Sequence, residues 1–199
     1  MLTLDAATDL SKPGLKSRFY QYRQFLSDDE AEAIRDSHSV EGEREHREEL
    51  FLLRGRPNQI LSITDGKTFR SRSRIHSKKG VEHWEVNAQE SLPMRAGALA
   101  MMGARQPCLR PAMADVKAGV ELGDALSSHL DSFAATTRVS PLGRDDADAF
   151  LVSQTFDGGE CVHSVVLRSD DPNTLPGVVS RMGLEPESAS NLGERLRGD

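Results

Sequence analysis

The stretch from Gln59 to His76 reads Gln-Ile-Leu-Ser-Ile-Thr-Asp-Gly-Lys-Thr-Phe-Arg-Ser-Arg-Ser-Arg-Ile-His. Asp65-Gly66 predicts a tight hairpin turn, because both residues tolerate the positive φ that such turns require. The strand before the turn is apolar and β-branched, whereas the strand after it alternates strictly. One face of that second strand carries Phe69, Ser71, Ser73 and Ile75, and the other carries Thr68, Arg70, Arg72, Arg74 and His76.

Three arginines therefore follow one face of a single strand at intervals of about 7 Å. Such a row repels itself unless carboxylates or an anionic ligand lie opposite it. One interpretation is a solvated outer face, and the other is a binding surface. If the sheet closes into a barrel, Arg23 and Glu49 on earlier strands are candidate neighbours of the row, because barrel strands alternate between inside and outside.

The composition limits the classes of function. A chain of 199 residues with 37% hydrophobic content can bury one sizeable core. Its net charge of -6 argues against general nucleic-acid binding, although a local basic cavity would suit a small polyanionic ligand. Two cysteines are too few for a disulfide scaffold or a thiolate metal site. Without a signal peptide or a long apolar run, we expect a cytoplasmic protein with no membrane partner.

The order of elements predicts an α+β fold. Residues 1–14 are expected to form a flexible leader, and residues 15–195 a single domain. A meander of antiparallel strands fills the first half. Helices are predicted over 93–104 and 115–130 and are joined by a proline-bearing loop over 105–114. Strands then resume, with a hairpin at Asp157-Gly158-Gly159 and a last helix before Gly183.

The chain resembles the CYTH-like, triphosphate tunnel metalloenzyme superfamily in the order and spacing of its segments over most of residues 15 to 195. The segments that carry this resemblance are Tyr20-Gln21-Tyr22-Arg23-Gln24-Phe25, Arg47-Glu48-Glu49-Leu50-Phe51-Leu52, Thr64-Asp65-Gly66-Lys67, Glu82-His83-Trp84-Glu85, Asp157-Gly158-Gly159, Ser169-Asp170-Asp171-Pro172, Met182-Gly183-Leu184 and Asn191.

The resemblance implies an antiparallel β-barrel, or tunnel, with flanking helices. In such proteins basic residues hold a triphosphate or nucleotide, and glutamates hold Mg²⁺ or Mn²⁺ ions that assist hydrolysis. The phosphate-binding residues implied here are Arg23, Arg70, Arg72, Arg74 and Arg138. The implied metal ligands are Glu49, Glu82 and Glu85, and the implied catalytic residues are Glu49, Glu82 and Arg72.

Three hypotheses about function follow. The first is a divalent-metal-dependent hydrolase of a triphosphate or nucleotide polyphosphate. The second is a non-catalytic tunnel module that binds a nucleotide, polyphosphate or other anion. It is favoured by the absence of the family's Glu-x-Glu-x-Lys motif from the first strand, where the nearest residues are Gln21 and Arg23. The third is an interaction protein whose arginine stripe is solvated or paired with carboxylates. Alternation fits either face of a strand, so the inward assignment of the arginines follows from the resemblance.

Overall fold

The computed structural model describes residues 17–38, 42–53, 56, 58–143, 147–185 and 192–197. The leader predicted over residues 1–14 lies outside these ranges, and the assignment of residues 15–195 to a single domain stays a prediction. None of the helices in the described ranges is long and apolar enough to cross a membrane.

Eight antiparallel strands close into a barrel, and helices flank it, which confirms the predicted α+β antiparallel barrel. Around the wall the strands follow the order β1-β5-β4-β3-β2-β6-β7-β8. The strands are β1 (Ser17–Leu26), β2 (Arg44–Leu52), β3 (Gln59–Thr64), β4 (Thr68–Lys78), β5 (Val81–Ser91), β6 (Asp131–Leu142), β7 (Asp148–Phe156) and β8 (Cys161–Ser169). The described helices are α1 (Asp28–His38), α2 (Ala96–Arg105), α3 (Arg110–Lys117), α4 (Leu122–Ser127), α5 (Thr174–Arg181) and α6 (Leu192–Arg197).

The predicted β3–β4 hairpin is confirmed. Asp65 and Gly66 have φ values of 51° and 62°, as a primed two-residue turn requires. The Lys67 N–H closes this turn by donating a hydrogen bond of 2.9 Å to the Thr64 carbonyl. The turn fixes the register of the hairpin, and with it the alternation that places the three arginines on one face.

The region between β5 and β6 differs from its prediction. The predicted loop over 105–114 is wrong, since a 3₁₀ turn at Pro107–Leu109 leads into α3. Pro111 stands in the first turn of α3, where its missing N–H has no helical partner to lose. The long helix predicted over 115–130 is interrupted after Lys117, where Gly119 takes a φ of 98°. The sequence therefore forms two short helices in place of one long helix.

Most of the hydrophobic core lies outside the barrel wall. One cluster packs outward-facing side chains such as Phe51, Leu61 and Phe69 against α2, α3 and α4. A second packs side chains such as Tyr22 and Leu167 against α1 and α5. Each buried side chain of this size contributes roughly 1.5–3 kcal/mol to folding. The helices thus cover the outer face, and the inner face need not supply all of the fold's stability.

The inside of the barrel has two unlike ends. Apolar side chains fill the end remote from the β3–β4 hairpin, including Leu50, Ile60, Trp84 and Phe156. Helix α6 lies against this filled end, where Leu192 joins the same cluster. The hairpin end holds the charged side chains and contains a cavity.

Candidate functional site

A cavity of about 340 Å³ occupies the hairpin end of the barrel. Six basic and three acidic side chains are among the residues that line it. The basic residues are Arg23, Arg44, Lys67, Arg70, Arg72 and Arg168, and the acidic residues are Glu45, Glu48 and Asp65. The cavity is thus locally basic although the chain has a net charge of -6.

The three arginines of β4 lie on its inner face, in the orientation that the resemblance implies. Arg70 and Arg72 line the cavity, and Arg70 Nε donates a hydrogen bond of 3.0 Å to Gln89 Oε1. Arg74 lies at the filled end of the barrel. Its Nη1 is 2.7 Å from Glu82 Oε1. Two of the three arginines therefore line the cavity, and the third, Arg74, forms an ion pair inside the barrel.

Arg23 of β1 joins the arginines of the cavity and is almost fully buried. Its Nη1 donates a hydrogen bond of 3.1 Å to Ser164 Oγ. The Nε atoms of Arg23 and Arg72 are buried without a hydrogen-bond partner among the described residues. Burial, followed by the nearby charge of Arg72, lowers the pKa of Arg23 to about 10. Burial likewise lowers the pKa of Arg72.

Arg168 is a cavity residue that the sequence predictions did not include. Its Nε donates a hydrogen bond of 3.2 Å to Gln21 Oε1, and its guanidinium lies 5.2 Å from the ring centroid of Phe19. Burial lowers the pKa of Arg168 to about 9, with further contributions from Arg72, Arg23 and Arg70 in that order. The sequence signal is the alternation along β8, but a lone arginine gives no reason to choose one face until the β1–β8 register is known.

Glu48 is the carboxylate that lies among these arginines. Its Oε2 accepts hydrogen bonds from Gln154 Nε2 at 3.2 Å and from Thr137 Oγ1 at 3.4 Å. The negative charge of Glu48 partly offsets the cost of burying Arg23, Arg72 and Arg168. The charge of Glu82 at the filled end also raises the pKa values of Arg23 and Arg72, but basic side chains still outnumber acidic ones in the lining of the cavity.

The predicted position of Glu49 beside the arginine row is wrong. Glu49 pairs in register with Ile63, whose side chain belongs to the cluster outside the barrel. Its Oε2 lies only 2.9 Å from the point that a Cβ at Gly123 of α4 would occupy. Glu49 therefore faces the helices, and the adjacent Glu48 faces the cavity.

The other predicted glutamates are also separated from the cavity. Glu82 faces inward at the filled end, where its Oε2 accepts a hydrogen bond of 2.9 Å from Trp84 Nε1. Glu85 faces outward, and its Oε1 lies 3.3 Å from Arg18 Nε. The three predicted metal ligands thus occupy three different environments.

Arg138 also lies away from the predicted phosphate site. Its side chain is on the outer face of β6, where it is half exposed and contacts Glu43 and Glu45. These carboxylates raise the pKa of Arg138, chiefly through the hydrogen bond to Glu45. The cavity therefore contains three of the five predicted phosphate-binding arginines.

The residues present do not fit the divalent metal that the resemblance implies. The described parts of the chain contain no group of three or more His, Cys, Asp or Glu side chains placed to hold a metal ion. Mg²⁺ and Mn²⁺ prefer several oxygen ligands in an octahedral arrangement. Glu48, an acidic residue in the lining of the cavity, already accepts hydrogen bonds from Gln154 and Thr137.

Comparison with known proteins identifies the fold. No protein-family model matches the chain, and no curated protein matches its sequence. Among solved structures, a "putative adenylate cyclase" from Bacillus halodurans aligns with a TM-score of 0.55 and 13% identity, over 90% of this chain and 97% of that one. A protein from Pyrococcus horikoshii aligns with a TM-score of 0.48 and 11% identity, over 87% of this chain and 94% of that one. At such identities, the Bacillus halodurans structure supports a shared fold and nothing finer.

Proposed function

We propose that the chain is a divergent CYTH-like barrel of the triphosphate tunnel type, and that its basic cavity binds a phosphate-containing anion such as a triphosphate or nucleotide. The supporting observation is that Arg23, Arg70, Arg72 and Arg168 line one cavity, in which basic side chains outnumber acidic ones. Buried charge in such surplus is costly to the fold, and a bound anion would offset that cost.

The chemistry of these side chains suits phosphate. A guanidinium presents a planar fork of N–H donors that matches two phosphate oxygens at once. Burial lowers the pKa values of Arg23, Arg72 and Arg168, and an anion between them would raise these values again. The volume of about 340 Å³ lies at the small end of ligand-binding cavities, which favours a compact ligand.

Binding without hydrolysis is the function that this geometry supports best. Metal-dependent hydrolysis needs carboxylates that hold the metal beside the phosphates. Glu49 lies on the outer face of the wall beside α4, and Glu82 is engaged by Trp84 and Arg74 at the filled end. The arrangement thus keeps the anion-binding half of a tunnel enzyme and separates the residues of the metal-binding half.

The test is a thermal melt with tripolyphosphate or ATP, each with and without Mg²⁺ or Mn²⁺, and with free phosphate assayed in the same wells. We expect stabilisation without phosphate release. At a hundredfold excess over Kd, the ligand should add about 2.7 kcal/mol to the free energy of unfolding. Metal-dependent release of phosphate would support hydrolysis in place of simple binding. Absence of any shift would contradict the proposal.

Arg72 and Arg138 provide a matched pair of variants. Arg72→Met removes a buried charge from the cavity, whereas Arg138→Met removes a half-exposed charge from the outer face. We expect Arg72→Met to abolish stabilisation by tripolyphosphate and Arg138→Met to retain it. An equal loss of stabilisation in both variants would show that the effect of tripolyphosphate depends on the net charge of the protein and not on binding in the cavity.

A further inference from the structure

The two walls of the cavity differ in chemistry. In the barrel order, β7 stands four strands from β4 in either direction and is therefore directly opposite it. The β4 wall presents Arg70 and Arg72 to the cavity. The β7 wall presents Phe150 and Val152, and its one polar lining residue, Gln154, is hydrogen-bonded to Glu48. A row of guanidinium groups thus faces an apolar surface across the cavity.

The apolar surface continues over three neighbouring strands. Val152 of β7 pairs in register with Val139 of β6, and Phe150 pairs with Val166 of β8. All four side chains line the cavity. None of them carries a hydrogen-bonding group, so a polar ligand group held against this wall would lose its partners in water and gain none.

A fully charged inorganic anion could interact favourably only with the arginine side of such a cavity. A molecule with an anionic head and an apolar body would use both, since burying a hydrocarbon group against the β7 wall removes apolar surface from water. A nucleobase packed on these four side chains would place its polar edge where they offer no hydrogen-bond partner. The small volume of the cavity excludes a long chain.

We infer that the ligand is a phosphate ester with a short aliphatic body, its phosphate held by Arg23, Arg72 and Arg168 and its body packed on Val139, Phe150 and Val152. This inference rests on the proposed anion-binding function and narrows the ligand class within it. The opposing view is that the apolar wall only lowers the local dielectric around the arginines, in which case the body adds nothing to affinity.

Titration calorimetry with methyl, ethyl, propyl and butyl phosphate separates these views, because the head group stays constant along the series. We expect each added methylene to tighten binding about fourfold until the wall is covered. The same affinity for methyl and butyl phosphate would overturn the inference. If tripolyphosphate also fails to bind, the proposed anion-binding function is wrong as well. If tripolyphosphate binds, the proposed function is supported and only the inference about the aliphatic body is wrong.

Val152→Thr tests the location of the body, because it keeps the shape of the side chain and adds a hydroxyl to the apolar wall. We expect it to remove most of the gain from methyl to butyl phosphate, measured as the ratio of the two affinities within the same variant. Val165→Thr, the same change on the outer face of β8, should keep the full gain. A gain that survives in Val152→Thr would overturn the inference. If Val152→Thr does not fold, Val139→Thr provides the same test.

Discussion

Two glutamates of β5 show that the surroundings of a residue determine how much its charge contributes to the stability of the fold. Glu82 is buried at the filled end of the barrel, where its carboxylate contacts Arg74 Nη1 at 2.7 Å and Trp84 Nε1 at 2.9 Å. Glu85 faces outward and is itself only 11% exposed, but the side chain of its partner Arg18 is 62% exposed. Breaking a buried charge pair leaves an uncompensated charge, whereas an exposed pair is weakened by water and salt.

We therefore expect Glu82→Gln to lower the free energy of unfolding by about 3 kcal/mol or more, and Glu85→Gln to lower it by a smaller amount, because water reaches Arg18. Urea denaturation of both variants and the parent measures the difference. The two substitutions are identical and lie on the same strand, so each serves as a control for the other. Equal effects would mean that the Arg74–Glu82 pair stabilises the fold no more than the Arg18–Glu85 pair does.

At the scale of single residues, the sequence predicts which side chains share a face but not which face is inside. Alternation alone predicts that Arg70 and Arg72 share a face, and the structure confirms it. Glu48 and Glu49 show the limit of this reasoning. They are followed in the chain by Leu50 and Phe51, which are both fully buried. Leu50 is buried inside the filled end of the barrel, whereas Phe51 is buried outside it, beneath the helices. Hydrophobicity therefore cannot tell the two faces apart.

The β3–β4 hairpin is the element that carries the arginine row, and its turn depends on backbone conformation. Gly66 has a φ of 62°, and a Cβ built there would meet no atom within 4 Å. The cost of replacing it with alanine is thus conformational and not steric. Gly158, in the turn between β7 and β8, also has open space around its Cα but lacks a positive φ.

Gly66→Ala should therefore lower the free energy of unfolding by about 1 kcal/mol, whereas Gly158→Ala should change it by less than about 0.5 kcal/mol. Thermal or urea unfolding of the two variants gives the comparison. A loss in Gly158→Ala as large as that in Gly66→Ala would show that both turns respond to something other than φ.

At the scale of elements, strands were easier to predict than helices. Hairpin signals at Asp65-Gly66 and Asp157-Gly158-Gly159 are local, and both lie between paired strands. The helices between β5 and β6 have no such local signal. Pro111 reads as a loop residue in sequence but is also well suited to the first turn of a helix, and only the packing of α3 on the barrel decides between them.

For the whole molecule, the arginine cluster lowers the free energy of unfolding, although it supplies the positive charge for the proposed binding of an anion. Folding buries Arg168 beside Arg72, Arg23 and Arg70, and its pKa falls to about 9, far below that of an arginine in the unfolded chain. Below pH 9 this arginine is charged in both states, and the cluster opposes folding in full. Above pH 9 the folded state releases the proton first, so the unfolded state binds more protons and this contribution to stability rises with pH.

Arg168→Met should consequently be more stable than the parent at pH 8, by about 1 kcal/mol or more once the lost hydrogen bond to Gln21 is included. This advantage should shrink as the pH rises through 9, because the parent then sheds the same charge. Urea unfolding of both proteins from pH 8 to 10.5 measures the difference. Arg138→Met, which removes an exposed arginine, should show no such slope, and an advantage that stays constant for Arg168→Met would contradict the assigned pKa.

The filled end of the barrel determines where a ligand can enter the cavity. In the described part of the chain, Leu192 of α6 packs with the apolar side chains inside, and Glu194 of the same helix contacts Arg74 Nη2 at 2.6 Å. Among the described residues, these contacts close the filled end, so a ligand of the proposed kind would enter and leave the cavity through the hairpin end.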